Sequence, residues 1–232
     1  MEIERATLDD CHLVKGMVVV IDVLRAYTTA ACLFDRGARG IILVSKVEEA
    51  LCLREEHPEF LIVGEVNGIR VDGFDLGNSP SEVNGRDFTG KTIIQRTTAG
   101  TQGVVGAKRA NIILAAALTN ISATVHYIQN IKPKSITLLQ TGLFPHEGWG
   151  DEDIACADCI EAKLLGNQVD WEEINKRVRS SRSGLRYDGT HAAFSPSDLE
   201  IALQHDKFKF AMVVKRNEGL HYLQKEEMDE YP

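Results

Sequence analysis

The sequence predicts an α/β protein in which helices cover both faces of a largely parallel or mixed sheet. Short apolar segments rich in β-branched residues alternate along the chain with amphipathic stretches of helical period. The apolar segments are continuous, which is typical of strands buried on both faces. We therefore expect a three-layer α/β/α domain over residues 1–232. In an alternative, two lobes of about residues 1–120 and 121–232 enclose the site in the cleft between them.

The predicted elements follow in chain order. Strands are expected at residues 17–22, 41–44, 60–64, 92–96, 111–115 and 135–140, and helices at residues 26–34, 47–56, 103–109, 119–130 and 153–165. Beyond Gly166 we expect a helix at residues 171–182, a loop at 183–195, a helix at 197–205 capped by Ser197, and a last strand at 210–214 on an edge of the sheet. The acidic residues 226–232 are expected to fray.

The composition indicates a cytoplasmic protein that acts on a small molecule. Of 232 residues, 44% are hydrophobic, which is enough for a substantial core. The net charge of −8 and the lack of a Lys/Arg run argue against nucleic acid as a partner. The longest apolar runs, residues 17–21 and 112–118, are shorter than a membrane span, and the first residues do not resemble a signal peptide. Five cysteines, an odd number, suit a reducing compartment.

Candidate site residues are sought where strands end, because the helices that follow present free N–H groups there. The first predicted strand leads to Asp22, Arg25 and Thr28. Asp22 can bind a divalent cation, and Arg25 can bind a phosphate or carboxylate through two N–H groups. The alternative is that Asp22 or Thr28 only caps the helix while Arg25 pairs with Asp22.

Two further candidate segments follow the carboxyl end of the strand at residues 60–64. Glu65 comes directly after it, and a later loop contains Asn78, Ser79 and Pro80. Asn78 or Ser79 is a suitable N-cap before a proline at the first helical position, so free amides would point at an anion there. Glu65 is a candidate metal ligand. A capped loop with nothing bound and an exposed turn carboxylate explain the same residues.

A threonine-rich loop follows the strand at residues 92–96. Residues 96–103 contain three threonines and two glycines. The hydroxyls of Thr97, Thr98 and Thr101 and the backbone at Gly100 can surround a tetrahedral oxyanion. The loop is not a P-loop, because the Gly-Lys-Ser/Thr ending is absent. The alternative is that the small residues only allow tight helix packing.

An acidic turn at residues 148–153 opens the helix predicted from Asp153. Acidic residues in a first turn are favoured by the helix dipole alone, so the turn has an interpretation without a ligand. Mg²⁺ prefers one or two carboxylates together with phosphate oxygens. If the strand ends converge, Asp22, Glu65 and Asp153 form a sensible ligand set for it.

Two other motifs carry less weight. Cys156 and Cys159 have CxxC spacing, but they lie inside a predicted helix without a second pair, so buried thiols are the simpler interpretation. The seven histidines are scattered, and only His146, just before the acidic turn, is a candidate acid or base. A nucleophile elbow and a GxGxxG motif are both absent, which argues against a serine hydrolase or a dinucleotide-binding protein.

Five segments, taken in order, carry a family resemblance. They are VIDVLRA (20–26), GE (64–65), GFDLGNSP (73–80), TTAGT (97–101) and EDIACA (152–157). Over residues 17–166 the chain resembles the 2-phosphosulfolactate phosphatase family of coenzyme M biosynthesis. The positions that match its motifs are Asp22, Arg25, Glu65, Asn78, Ser79, Thr97, Thr98, Gly100, Thr101 and Asp153. The resemblance implies Mg²⁺-dependent hydrolysis of (2R)-2-phospho-3-sulfolactate to 3-sulfolactate and phosphate, an unusual α/β topology, and a homo-oligomer, which we expect to be a homodimer.

Two positions depart from the family pattern. Val66 and Ala99 stand where many relatives have Arg and Asn. The loss of the Arg removes a two-pronged partner for an anionic group, and such charge-assisted bonds are worth about 1.5–3 kcal/mol each. Arg70 and Arg96 are candidate replacements. The reaction class is therefore better determined than the ester, which is 2-phospho-3-sulfolactate or a closely similar phospho-acid.

The resulting hypothesis is that Mg²⁺ held by Asp22, Glu65 and Asp153 bridges the phosphate, while Arg25 and the loops bind its other oxygens. Attack by a metal-bound water is favoured over a phospho-aspartate at Asp22, because a DxD pattern is absent. The alternative from another class is a non-catalytic sensor or binding protein for a phospho-ligand on the same scaffold. An isomerase or aldolase would need a base or lysine at a strand end, and Lys91 lies at a strand start.

Overall fold

The computed structural model describes residues 1–142 and 150–228. The strands are β1 (Glu2–Thr7), β2 (Gly16–Ile21), β3 (Gly40–Val44), β4 (Leu61–Gly64), β5 (Thr92–Arg96), β6 (Ala110–Ala116), β7 (Ser135–Gln140), β8 (Phe210–Asn217) and β9 (Leu220–Glu227). The α-helices are α1 (Ala26–Asp35), α2 (Val47–Glu56), α3 (Pro80–Val83), α4 (Gly100–Gly106), α5 (Ile121–Ile131), α6 (Asp151–Leu164), α7 (Trp171–Ser180) and α8 (Pro196–Ala202). No helix within these two ranges has the length and apolar character needed to cross a membrane.

The strands form one mixed sheet in the order β1-β7-β2-β6-β8-β9-β3-β5-β4. One parallel block contains β1, β7, β2 and β6, and a second contains β3, β5 and β4. The hairpin of β8 and β9 joins them through three antiparallel pairings. The two parallel blocks therefore run in opposite directions along the sheet. The α/β fold with a mixed sheet, as predicted from the sequence, is confirmed.

Both faces of the sheet are covered. In β2, Val20 packs into a cluster with α1 and α4, while Ile21 points to the other face and packs with α5 and α6. In β3, Leu43 belongs to the first of these clusters, while Ile42 packs with α2 on the opposite face. A strand covered on both faces has no polar face, which explains the continuous apolar runs in the sequence.

Strand ends from both blocks meet at one place in the structure. Adjacent strands are rotated by about 20–25°, so a sheet of this width turns through a large angle between its two blocks. The end of β5 meets the start of α1, where the Gln95 side chain donates to the carbonyl of Ala26 at 3.0 Å. The Tyr27 hydroxyl donates to the carbonyl of Gly100 at 2.7 Å. The carboxyl ends of β2 and β5 consequently supply one site.

Two strands were not predicted from the sequence. β1 pairs with β7 and carries mostly charged or half-buried side chains, so it lacks an apolar run. β9 covers part of the acidic segment that was expected to fray, and its Glu226 and Glu227 are paired with β8. The prediction that the strand at residues 210–214 lies on an edge is therefore wrong, because β9 covers β8. Residues 229–232 of the acidic segment lie outside the described residues.

Four helix starts also differ from the predictions, and α5 and α6 begin at Ile121 and Asp151 instead of residues 119 and 153. α8 begins at Pro196, and the hydroxyl of Ser195 accepts from the amide of Ser197 at 3.3 Å, so Ser195 and not Ser197 is the cap. Proline is well suited to the first helical position, which places the cap one residue before it. α4 begins at Gly100, three residues earlier than expected, because its glycine-rich first turn packs closely against α1.

Candidate active site

A cavity of about 660 Å³ is lined by residues that follow β2, β4 and β5. Its wall combines carboxylates and guanidinium groups, namely Asp22, Glu65, Glu152 and Asp153 with Arg25, Arg182 and Arg186. Asn78 and Thr98 also line it. The other predicted site residues are buried behind the wall, and they are Thr28, Ser79, Thr97, Gly100 and Thr101. We take this cavity as the candidate active site.

Asp22 is buried where β2 ends and α1 begins. Its Oδ1 accepts from the amide of Ala26 at 2.9 Å, so it does hold the first turn of α1. Its Oδ2 lies so close to Gly100 that a Cβ built on this glycine would be 2.8 Å away. A glycine at this position therefore allows the threonine loop to approach the carboxylate. Asp22 both caps a helix and faces the cavity, so the two interpretations from the sequence are compatible.

Asp153 and Glu152 are buried in the first turn of α6. Asp153 accepts from the amide of Val23 at 2.9 Å with Oδ1 and from the amide of Gly142 at 2.7 Å with Oδ2. These two bonds fix its carboxylate beside the ends of β2 and β7. Glu152 is 3% exposed, and its Oε2 has no hydrogen-bond partner among the described residues.

The buried carboxyl groups raise one another's pKa. Burial, together with the charges of Glu65 and Glu152, raises the pKa of Asp22 to about 7. Burial and the charges of Asp22 and Glu152 raise the pKa of Asp153 well above its usual range. Burial also raises the pKa of Glu152. A small volume that concentrates negative charge in this way is suited to a divalent cation.

The raised pKa of Asp22 predicts how stability depends on pH. Between the ordinary pKa of 3.8 and about 7, the folded protein holds a proton on Asp22 that the unfolded chain has released. The stability that Asp22 contributes is thus complete below the ordinary pKa and is lost as the pH rises through about 7. Without metal, Asp22→Asn should gain in unfolding temperature over the unmodified protein between about pH 5 and about pH 8. An equal difference at every pH, measured by thermal unfolding, would contradict this.

Glu65 fixes two loops of the cavity wall. Its Oε1 accepts from the amide of Thr98 at 2.5 Å, and its Oε2 accepts from the Thr98 hydroxyl at 2.8 Å and the Gly68 amide at 2.5 Å. Asn67 and Gly68 have φ of 53° and 84°, which suits the Asn-Gly pair of a tight hairpin turn. Each carboxylate oxygen can accept more than one bond, so the metal-binding role of Glu65 stays a prediction.

The threonine loop is closed by its own hydrogen bonds. The Thr101 amide donates to the Thr97 hydroxyl at 3.0 Å, and the Thr97 amide donates to the Thr101 hydroxyl at 2.9 Å. The Thr28 hydroxyl donates to the carbonyl of Val23 at 2.8 Å. These hydrogen bonds show that Thr28, Thr97 and Thr101 stabilise the local backbone. Their phosphate-binding role stays a prediction, whereas Thr98 is the threonine of this loop that lines the cavity.

Arg25 pairs with a partner that the sequence did not suggest. Its Nη1 lies 2.8 Å from Oδ2 of Asp198 in α8, so the alternative in which Arg25 pairs with Asp22 is wrong. Ser79 is the N-cap of α3, with Pro80 at the first helical position as predicted, and its hydroxyl donates to Oδ1 of Asp198 at 2.8 Å. Asp198 is fully buried and was missed, because an acidic residue in a first helical turn is expected without any special role.

Residues 182–194 form a part of the wall, and except for Arg182, which ends the predicted helix at residues 171–182, they belong to the predicted loop. Arg182, Arg186, Tyr187 and Phe194 all line the cavity. The Arg186 guanidinium lies 3.7 Å from the centre of the Phe194 ring, a cation–π contact. The signal in the sequence that could have identified this segment as part of the site was the occurrence of two arginines and two aromatic residues within 13 positions. Only the fold shows that this segment reaches the strand ends.

The two weaker motifs have different outcomes. Cys156 and Cys159 are buried in α6, and burial raises the pKa of Cys156 well above its usual range and that of Cys159 to about 12. Both thiols are therefore protonated at neutral pH, which agrees with their interpretation as buried thiols. His146 and the residues Gly148 and Trp149 of the acidic turn lie outside the described residues.

The carboxylates of the wall fit Mg²⁺ in their donor chemistry. Asp22 and Asp153 offer oxygen ligands, and the pKa of each carboxyl is raised above its ordinary range by burial and by neighbouring negative charge, which a bound cation would offset. In the part of the chain that the structure describes, no group of three or more His, Cys, Asp and Glu side chains is arranged to hold a metal ion. Mg²⁺ commonly uses one or two carboxylates and completes its shell with water and phosphate oxygens, so the donor chemistry of this pair is compatible with the ion.

At its strand ends the mixed α/β sheet carries a cavity lined by buried carboxylates and by arginines, a combination suited to a cation and an anionic ligand. A family profile described as 2-phosphosulpholactate phosphatase matches residues 5–217. The chain belongs to this family, which places it among the phosphoric monoester hydrolases.

Individual relatives agree with the family profile. The chain is 31% identical over 201 residues to a "Probable 2-phosphosulfolactate phosphatase" of Bacillus subtilis, covering 86% of this chain and 87% of the relative. It is 36% identical over 201 residues to a protein of the same name from Thermotoga petrophila, covering 82% of this chain and 86% of the relative. The resemblance inferred from the sequence motifs is confirmed.

Proposed function

We propose that this chain is a Mg²⁺-dependent phosphatase that hydrolyses 2-phospho-3-sulfolactate, or a closely similar small phospho-acid, to 3-sulfolactate and inorganic phosphate. The observation that carries the proposal is the cavity in which buried Asp22 and Asp153 share a wall with three arginines. Membership of a family whose relatives bear the name of this activity supports it. The homodimer stays a prediction of the resemblance, and the cytoplasmic location stays a prediction from the composition.

The cationic side of the cavity suits a substrate with several anionic groups. The proposed ester carries a phosphate, a carboxylate and a sulfonate, and guanidinium groups bind such planar or tetrahedral anions through paired N–H donors. Arg96 directs its guanidinium to the carbonyls of Glu65 and Ser45, at 2.8 and 3.2 Å. We therefore assign the role of the arginine that is absent at Val66 to Arg182 and Arg186, which line the cavity.

The carboxylate side would hold Mg²⁺ through Asp22 and Asp153. When bound, the ion supplies positive charge against the phosphate oxygens. Asp22 is held by the amide of Ala26, and Asp153 by those of Val23 and Gly142, so both carboxylates are oriented before substrate arrives. Phosphoryl transfer leaves little covalent chemistry to the protein, so positioning and charge neutralisation account for most of the acceleration. Attack by water remains preferred over a phospho-aspartate.

Release of inorganic phosphate from 2-phospho-3-sulfolactate, with Mg²⁺ and with EDTA, tests the proposal. The matched control is 2-phospholactate, which has the same phosphate and carboxylate but no sulfonate. We expect release that requires Mg²⁺ and a higher kcat/KM for the sulfonated ester, because that ester brings one more anionic group to a wall that contains three guanidinium groups.

The possible outcomes separate the alternatives. Equal release in EDTA would exclude the metal, and a preference for 2-phospholactate would show that the changes at Val66 and Ala99 accompany a different ester. No release from any ester, combined with a rise in unfolding temperature on adding 2-phospho-3-sulfolactate, would establish the non-catalytic binding protein instead.

A further inference from the structure

The ion pair between Arg25 and Asp198 is buried beside the cavity. Arg25 is 4% exposed and Asp198 is 0% exposed, and the two residues lie 173 positions apart in the chain. A buried ion pair with additional hydrogen bonds is a costly arrangement that is strongly disrupted when one partner is removed. The pair connects the segment that follows β2 with α8, so it can position Arg25 in the wall of the cavity.

Asp198 gathers donors from two segments of the cavity wall. Its Oδ2 accepts from Nη1 of Arg25 at 2.8 Å. Its Oδ1 accepts from the hydroxyl of Ser79 at 2.8 Å and from the amide of Ser81 at 2.9 Å. One carboxylate therefore fixes the start of α3 relative to the start of α1.

Arg25 extends this connection to two further loops. Its Nη1 also donates to the carbonyl of Ala193 at 2.8 Å, and its Nη2 donates to the carbonyl of Gly68 at 3.2 Å. Its guanidinium carbon lies 5.2 Å from the centre of the Phe194 ring and 5.7 Å from that of Tyr187. A guanidinium has five N–H donors, and three contacts to protein leave two of them for a ligand.

We propose that Asp198 is a positioning residue of the proposed phosphatase site, which acts through Arg25. It neutralises the charge of Arg25 and fixes the plane of its guanidinium, so that the remaining N–H donors face the ester. Through Arg25 it also holds the turn at Gly68 and the segment at Ala193 against each other. The proposal rests on the proposed function, but the contacts that define the positioning do not.

The test compares two carboxylates of α8. Asp198→Asn keeps the shape of the side chain but places an amide where Arg25, or Ser79 and Ser81, must find an acceptor. Glu200→Gln is the matched control, because Glu200 makes an exposed ion pair with Arg179 at 2.6 and 2.8 Å. For Asp198→Asn we expect kcat to fall at least about 30-fold while KM changes less than about 3-fold, since misplaced donors affect the transition state and an uncompensated Arg25 still attracts the anion. Glu200→Gln should change neither constant by more than about 2-fold.

A second readout does not depend on phosphate release. Trypsin cleaves after Arg182 and Arg186, which are exposed in the segment that Arg25 anchors at Ala193. Cleavage there should be at least about 5-fold faster in Asp198→Asn than in Glu200→Gln or the unmodified protein, because local opening becomes more frequent.

Each outcome decides between the proposals. If the unmodified protein releases no phosphate but Asp198→Asn is cleaved faster, the positioning stands and the phosphatase function fails. A kcat within about 2-fold of the unmodified protein, an unchanged cleavage rate, or a rise in KM at constant kcat overturns the role of Asp198. If Asp198→Asn does not fold, the test uses Ser79→Ala, which removes one hydrogen-bond donor to Asp198. A several-fold lower kcat at constant KM then supports the proposal, and an unchanged kcat overturns it.

Discussion

Replacing Asp22 by Asn is expected to lower phosphate release at least about 10³-fold, which corresponds to about 4 kcal/mol of transition-state stabilisation. Asn keeps the size of the side chain and an oxygen that can accept from the amide of Ala26. It removes the negative charge with which Asp22 and Asp153 would hold Mg²⁺. It also removes a buried charge from a crowded acidic cavity, so the folded protein should not become less stable at neutral pH.

Initial rates at saturating Mg²⁺ and thermal unfolding of the same samples test this expectation. Asp35→Asn is the matched control, because Asp35 is an exposed acid at the far end of α1, the helix whose first amide donates to Asp22. The control should retain the full rate. If Asp22→Asn retains a rate within about 3-fold of the unmodified protein, Asp22 is not part of the reaction site.

Replacing Gly64 by Ala is expected to have the largest effect on stability, a loss of more than about 4 kcal/mol in the free energy of unfolding. Gly64 is the last residue of β4 and has φ of 153°. A Cβ built there would be 1.9 Å from the carbonyl oxygen of Arg96 in β5, and a backbone atom cannot move away as a side chain can. The same carbonyl accepts from the amide of Glu65 at 2.9 Å, so the change also displaces a residue of the cavity wall.

Chemical unfolding in urea measures the effect, with Gly40→Ala as the matched control. Gly40 and Gly64 both pair with β5, but a Cβ at Gly40 meets its nearest neighbour, the carbonyl oxygen of Leu223, at 3.7 Å, which is an ordinary contact. Gly40→Ala should stay within about 1 kcal/mol of the unmodified protein. A Gly64→Ala variant with the unfolding midpoint of the control would show that β4 can shift away from β5.

The sequence predicted the elements of the fold better than their arrangement. The strands at residues 92–96 and 135–140 and the helix at residues 47–56 agree with β5, β7 and α2, because apolar runs and helical periods are local signals. β1 and β9 were missed because strands with charged, partly exposed side chains resemble loops or tails. The position of β8 inside the sheet depends on β9 and could not be predicted without it.

The candidate site also contains residues that the sequence predicted and residues that only the fold revealed. Asp22, Arg25, Glu65, Asn78, Thr98 and Asp153 were named from the sequence and line the cavity. They follow strands or open helices, where the chain gives a local signal. Asp198 lies in the first turn of a predicted helix, and Arg182 and Arg186 lie at the end of a predicted helix and in a segment without periodicity. Their approach to the site depends on contacts over more than a hundred residues, such as the one between Arg25 and Ala193.

The sequence by itself determined the fold class, the family and the loops that carry the acidic and threonine residues, because each is encoded in consecutive residues. Only the tertiary structure decided that the two parallel blocks run in opposite directions and still share one cavity. The directions follow from three antiparallel pairings, and the shared cavity follows from contacts between distant segments, such as the one between Gln95 and Ala26. The tertiary structure also decided that Arg25 is paired with Asp198, because a buried charge requires a partner and the fold, not the local sequence, supplies it.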